Sequence, residues 1–433
     1  MSICRKGVSS LFYTSLLLFG LCPFASKSQG LGNSPYSSQG IGELYGDNNV
    51  WNQGIGGLGV AYANPFHLNS ANPALLVRNR TTIFEVGLLG QAKVLSDRVQ
   101  SQRDFGGNLS YLNLAFPVAG KWSAGIGLRP YSFIDYNTTV FRKVEPNTIY
   151  DSRTVYTGRG ALNKATITNG FQLGKNAYVG LEMGFLFGNA VREANSQVII
   201  NGLGDLSTDI IVSRTSQSTY SDVMLKLGGA WRPKLSKNWH LNLGATYQPQ
   251  TRVRSRETEA YEQRQAQQVI SLPDTIRSDQ RGVLVFPSKF RAGVVLEKNL
   301  NIAVGAEFSY EQWANYRTAT GENPGLGNSY TVGTGIEFLP KASSTNYLNL
   351  INYRFGLRYG LLPNVVNGRQ LNDVSASLGF ALPVGRFVNS ISLSVTAGQR
   401  GNTTFEGQIR ERYARIGLSL SLNDRWFQRF RVD

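Results

Sequence analysis

The sequence predicts an all-β chain folded as a transmembrane antiparallel β-barrel of about fourteen strands, preceded by a segment of different character. Three observations carry the prediction. From Thr82 onward, apolar residues alternate with small, polar or charged ones at a two-residue period, which places successive side chains on opposite faces of a strand. The alternating stretches are joined by connections that are short and long in turn, matching barrels with tight periplasmic turns and longer external loops. An even strand count then returns both ends of the wall to the short-turn side.

Residues 1–28 read as a secretory signal peptide. Arg5 and Lys6 precede the apolar run Leu11 to Phe24, and Ser26-Lys27-Ser28 supplies small residues before a cleavage placed at Gln29. Leu21 before Cys22 fits a lipidation motif poorly. Cys4 and Cys22 both lie in this leader, so the mature chain has no cysteine and no disulfide framework. After the leader no run of eighteen apolar residues occurs, which excludes spanning helices.

Residues 29–80 are rich in Gly, Asn and Ser and show no sustained alternation. One short helical turn is expected around Asn72 to Leu76. Tyr36, Leu44, Tyr45, Trp51, Leu58, Val60 and Tyr62 give the segment apolar surface to pack against something, and a barrel lumen is the available partner. The segment is therefore expected to be a plug.

The barrel is expected over residues 81–424. The expected strands centre on Phe84–Leu88, Leu112–Phe116, Ala124–Leu128, Thr154–Thr168, Val179–Phe187, Val223–Trp231, Leu241–Tyr247 and Phe290–Leu296. They continue at Leu300–Tyr310, Val332–Phe338, Tyr353–Tyr359, Val374–Leu382, Ile391–Ala397 and Ile416–Leu422. The clearest hairpin lies in Phe286–Trp313. There Phe290, Val294, Leu296, Val304 and Phe308 fall on one face and Arg291, Gly293, Gly305 and Glu307 on the other. Asn189–Ser213, Pro249–Asp279 and Ala314–Asn328 read as long loops. The last strand has the form of an assembly signal, and residues 425–433, with Trp426 and Phe427, follow it as a periplasmic tail.

Removing Arg5, Lys6 and Lys27 leaves 41 basic residues against 28 acidic ones. Export argues against nucleic acid as the anionic partner. Phosphorylated lipid head groups, including lipopolysaccharide, and a merely solvated basic surface both remain open. His67 and His240 are the two histidines, and neither has the clustered partners of a metal site or a catalytic triad. With no cysteine nucleophile and no phosphate-binding loop before a helix, no enzyme, metal or cofactor is expected.

By alternation the inward faces carry Glu85, Glu182, Lys226, Arg291, Glu307, Glu337, Arg354 and Arg358. Such charges pair with one another or with a plug, or else touch a substrate. Pro130, within Arg129-Pro130-Tyr131, interrupts a strand that reads on through Tyr136. Because proline cannot donate to the ladder, either the strand ends there or it kinks inward and opens a lateral gap.

Gly56 to Leu76, leading to Asn72-Pro73-Ala74, the late FPSKFRAGV stretch with Trp313, and the plug-plus-barrel architecture resemble the FadL/TodX family of outer-membrane transporters for hydrophobic compounds, in a Bacteroidota-like form. The resemblance implies a plugged barrel in the outer membrane of a Gram-negative bacterium. It also implies passive uptake of a hydrophobic small molecule, such as a long-chain fatty acid, with a sideways exit at Pro130. The alternative is a non-transporting barrel that anchors or partners secreted or surface proteins. A ligand path requires small apolar pockets near Asn72-Pro73-Ala74, whereas a partner subunit requires a large exposed surface on the loops.

Overall fold

A computed structural model describes residues 30–146, 150–200, 210–265, 268–271, 273–299, 301–341, 343–385, 389–424 and 426. The expected signal peptide, Leu300 and, apart from Trp426, the expected tail lie outside the described residues.

The two-residue strand β1 (Glu43–Leu44) precedes the wall, which begins with β2 (Thr82–Ser96), β3 (Ser101–Ala119), β4 (Trp122–Lys143), β5 (Tyr150–Gln172), β6 (Ala177–Ile200) and β7 (Ile210–Trp231). Then come β8 (Trp239–Gln248), β9 (Thr251–Gln265), β10 (Gln268–Val269), β11 (Asp274–Phe286), β12 (Lys289–Lys298), β13 (Ile302–Glu311) and β14 (Ser329–Phe338). The chain ends through β15 (Asn352–Val366), β16 (Arg369–Val384), β17 (Asn389–Arg400) and β18 (Arg410–Asp424). Each wall strand pairs antiparallel with its neighbours, and β18 closes on β2 from Thr82↔Asp424 to Ser96↔Arg410. β8 pairs directly with β12. β9 and β11 continue those two strands past breaks at Pro249 and Pro287, so the closed ring has fourteen strands.

Thirteen of the fourteen expected centres lie within one of these wall strands, and Leu300–Tyr310 coincides with β13 from Ile302 onward. Outward rows such as Phe290, Val294 and Leu296 on β12, Val304 and Phe308 on β13, and Ile416, Leu418, Leu420 and Leu422 on β18 are exposed, as a lipid-facing belt must be. Their neighbours Arg291, Val295, Ala303 and Glu307 are buried inside.

The long-loop side differs from expectation. Pro249–Asp279 is largely a hairpin, not a loop, with β9 paired to β7 and β11. Of Asn189–Ser213, residues 189–200 and 210–213 are the ends of β6 and β7, and residues 201–209 lie outside the described residues. β4 to β7 thus run 22 to 24 residues, against 10 for β12, β13 and β14. A span needs only about 9–11, so one side of the ring rises well beyond the belt. The physical reason is that the projecting strands stand beyond the apolar belt, where no continuous apolar outward row is required. Polar cross-strand pairs such as Arg214–Glu259 (2.5 Å) hold them instead.

Candidate functional site

The lumen is occupied by residues 30–80, which contain short 3₁₀ turns at Pro35–Ser38 and Pro73–Arg78 and a helical turn at Val50–Gln53. The segment meets inward-facing groups of each of the fourteen strands of the ring, β2 to β8 and β12 to β18, so it lies within it. Glycine makes the approach close. A Cβ on Gly356 of β15 would fall 1.9 Å from the Gly56 nitrogen, and one on Gly244 of β8 would fall 2.0 Å from the Val60 carbonyl oxygen. Gly56 itself has φ +71°, a left-handed conformation natural to glycine.

Asn72 caps the turn it precedes. Its side-chain oxygen accepts from the Ala74 nitrogen (3.0 Å), while its amide donates to the carbonyls of Val60 (2.7 Å) and Gly229 on β7 (3.1 Å). Pro73 and Ala74 press on β6, where a Cβ at Gly180 would sit 2.3 Å from the Ala74 nitrogen. Asn72-Pro73-Ala74 therefore clamps the segment to the wall.

The inward charges meet the same segment. Glu85 accepts from the Leu68 nitrogen (3.0 Å) and the Tyr111 hydroxyl (2.5 Å). Glu307 accepts from the nitrogens of Gly59 and Val60 (2.9 Å each) and is bound by Arg291, which also donates to Asn48 (3.1 Å). Glu337 accepts from the Tyr62 hydroxyl (2.7 Å) and Arg354 (2.6 Å), and Arg354 lies 5.8 Å from the centre of the Trp51 ring. Arg358 stands apart: it lines a cavity of about 210 Å³ without an ion-pair partner among the described residues.

Two ion clusters join the segment to the wall. In the first, Asp47 and Glu182 face Lys164 and Lys226, with contacts of 3.2 and 3.1 Å from Lys164 and 3.5 and 3.0 Å from Lys226. In the second, Glu43 meets Lys93 (3.0 Å), Arg400 (2.5 Å) and Arg415 (3.2 Å). Lys93, Lys164 and Arg400 were not singled out in the sequence, although alternation places them inward. A usable signal was present: Glu43 and Asp47 are the two carboxylates in residues 30–80.

Burial alone would raise the Glu43 carboxyl, but Arg400, Lys93 and Arg415 outweigh it and hold it below the ordinary range. For Asp47, too, burial is outweighed by Lys164 and Lys226, which hold it well below that range. A depressed folded-state pKa stabilises fully above the unfolded value, about 4, and its contribution is lost as pH falls through the folded value. Burial also holds the His67 imidazole of the same segment down to about 3, so below about pH 6.5 the unfolded chain takes up a proton that the folded segment does not. Chymotrypsin resistance of residues 30–80 is therefore expected to decline from about pH 6.5 downward and more steeply below about 4. Resistance that stays constant from about pH 8 to 4 would contradict this.

The β3–β4 seam is the other element of the site. Pairing runs from Ala119↔Trp122 to Leu112↔Leu128 and then stops. β3 stays with β2 as far as Ser101, and β4 stays with β5 as far as Lys143. The β4–β5 register shifts between Pro130 and Ser132, where proline lacks a ladder donor. Beyond it, β4 takes its edge partner from the N-terminal segment: Glu43↔Phe133 and Leu44↔Ser132, with Tyr45 donating to the Tyr131 carbonyl (2.9 Å). Ser34 donates to the Asp135 carbonyl (2.8 Å), and the Asn33 nitrogen donates to Asp104 of β3 (2.5 Å). Of the motif itself, Arg129 is buried and donates to Asn49 (2.6 Å), and Tyr131 stacks on Phe286 at 5.9 Å.

Above this level an apolar cluster occupies part of the lumen. Ile41, Ile134, Leu162, Leu186, Tyr220, Met224, Phe286, Trp313, Tyr316 and Leu326 pack into one buried cluster. The cavity near Arg358 has a mixed lining: Asp47, Lys289, Arg291, Glu311 and Arg400 together with Leu44, Pro130, Tyr131, Leu361 and Pro363. His67 lies in the lumen stacked on Trp51 (5.9 Å). His240 is on β8 at the short-turn end.

A model of the family described as BamG matches residues 12–433. No curated protein matches the chain. Among solved structures, the toluene transporter TodX of Pseudomonas putida is similar with a TM-score of 0.56 at 14% identity, over 89% of this chain and 100% of that one. A FadL homologue from Pseudomonas aeruginosa gives 0.56 at 11% identity, over 88% and 99%. The toluene transporter TbuX of Ralstonia pickettii gives 0.53 at 12%, over 87% and 99%. At these identities the shared feature is the fold: a FadL-like barrel.

Proposed function

The chain belongs to the BamG family, and from that premise we infer that it is a plugged barrel of the Gram-negative outer membrane that serves as a partner subunit for secreted or surface proteins. The observation that carries this reading is the state of the lumen. The chain's own apolar side chains pack into a buried cluster in the lumen. The cavity of about 210 Å³ has a mixed lining, in which Asp47, Lys289, Arg291, Arg358 and Arg400 stand beside Leu44, Pro130, Tyr131 and Leu361, so an apolar molecule entering it would have to desolvate charged groups. Asn72-Pro73-Ala74, where a ligand path needs small apolar pockets, is pressed against glycines of the wall. The projecting ends of β4 to β7, β9 and β11 supply the large exposed surface a partner requires.

The test is mild-detergent extraction of the tagged full-length chain from its native cell. A stoichiometric protein partner is expected. It should be lost when residues 254–283 are replaced by a tight turn and the heat-modifiable migration of the barrel is retained. A partner-free barrel carrying stoichiometric fatty acid would overturn the reading.

One observation favours a second reading, passive uptake of a hydrophobic compound such as a long-chain fatty acid: the wall hydrogen bonds between β3 and β4 stop at Leu128. That reading requires residues 30–45 to leave the seam during transport. Cross-linking Asn33 to Asp104 positions through paired cysteines would then abolish uptake of a fluorescent fatty acid.

A further inference from the structure

We propose that the outward face of the β9–β11 hairpin binds the phosphate of an outer-leaflet glycolipid through Arg252, Arg254, Arg256 and Arg281; the choice of leaflet rests on the outer-membrane placement above. On β9 these arginines alternate with Val253 and Ser255, which are buried on the lumen side, and on β11 Arg281 and Val283 are outward while Leu284 and Phe286 are buried. The register sets Arg256 directly opposite Arg281 and Arg254 opposite Val283. Like charges directly opposed across a ladder destabilise it. Four guanidiniums share this face with two carboxylates: Arg254 donates to Asp222 (3.1 Å), and Arg256 contacts Asp279 (3.4 Å). Arg252 and Arg281 have no ion-pair partner among the described residues. The face is therefore short of negative charge where two arginines confront each other, and a phosphate dianion or diester supplies it through forked hydrogen bonds.

The height on the wall identifies the source of that phosphate. The outward row of β7 reads Leu227, Leu225 and Val223, all exposed, and then turns polar at Ser221, the residue opposite Arg254. On the neighbouring strands Tyr247 and Phe290 face each other as an outward aromatic pair, the kind of residue that marks a membrane interface. The arginines begin where the apolar belt ends, on the side of the long connections. A lipid-linked phosphate lies at that height by its own insertion, whereas a free anion gains nothing from the adjoining apolar rows. Exposed Val283, set among the arginines, suits the boundary between acyl chain and head group.

Native mass spectrometry of the full chain in detergent, titrated with bis-phosphorylated lipid A, tests the assignment. Retained lipid is expected, with the double variant Arg252→Ser/Arg281→Ser weakened by roughly tenfold or more, and Arg142→Ser/Lys143→Ser unchanged. Should the double variant fail to fold, as judged by heat-modifiable migration, wild-type protein still decides the matter. Its binding should weaken in high salt and for lipid A stripped of phosphate. Equal binding of the stripped lipid, full competition by equimolar inorganic phosphate, or an unaffected double variant would overturn the proposal. None of these outcomes bears on whether a protein partner is captured, so the two readings fail separately.

Discussion

Gly356→Leu is expected to leave the wall closed while driving the N-terminal segment from its seat. The added Cβ would meet the Gly56 nitrogen at 1.9 Å and the Gly56 Cα at 2.4 Å, both backbone atoms with no rotamer to yield. Ordinary overpacking costs about 1–3 kcal/mol because neighbouring side chains shift. Here the segment itself must shift, and with it the bonds that Glu307 makes to Gly59 and Val60 and that Glu337 makes to Tyr62. The effect therefore spreads beyond the clash. In planar bilayers the wild-type barrel should be nearly silent and the variant conductive, with residues 30–80 open to chymotrypsin and the fourteen-strand β-sheet signal kept. Silence and protease resistance equal to wild type would show that the segment can rearrange around the leucine.

The wall was legible because lipid leaves few options. Each spanning strand must turn an apolar row outward and satisfy its backbone in a closed ring, so Phe290-Val294-Leu296 or Ile416-Leu418-Leu420 declare both strand and face. Above the belt that constraint vanishes. Arg252-Val253-Arg254-Ser255-Arg256-Glu257 has a charged outer face and only a partial apolar row inside, and the sequence alone suggests a loop. The inward direction of Glu85, Glu182, Lys226, Arg291, Glu307, Glu337 and Arg354 followed from alternation, but their partners did not. A segment folded through turns and capping side chains has no period from which contacts can be read. Pro130 was conspicuous as a missing donor. That the edge beside it is taken by Glu43 and Leu44, nearly ninety residues earlier, depends on a tertiary approach that no local pattern encodes.

Asp47→Asn is expected to have the second large effect, through charge instead of volume. Asp47 and Glu182 balance Lys164 and Lys226 in a setting where the side chains are 4–11% exposed. Neutralising Asp47 leaves two buried ammonium groups sharing one carboxylate, and removing one partner from a buried ionic group typically costs about 3–5 kcal/mol. The bond from the Lys226 ammonium to the Ser70 carbonyl (3.0 Å) remains but cannot replace a charge. The variant should unfold at a lower denaturant concentration and lose protection of residues 30–80 before the wall itself melts, since Asp47 belongs to the segment and its partners to β5, β6 and β7. The charge origin has its own signature. Adding Lys226→Met leaves Lys164 and Glu182 as a balanced pair at 3.1 Å, so the double variant should recover more than half of the loss. If the double variant is as unstable as Asp47→Asn alone, the cost lies in the shape of the site and not in its charge.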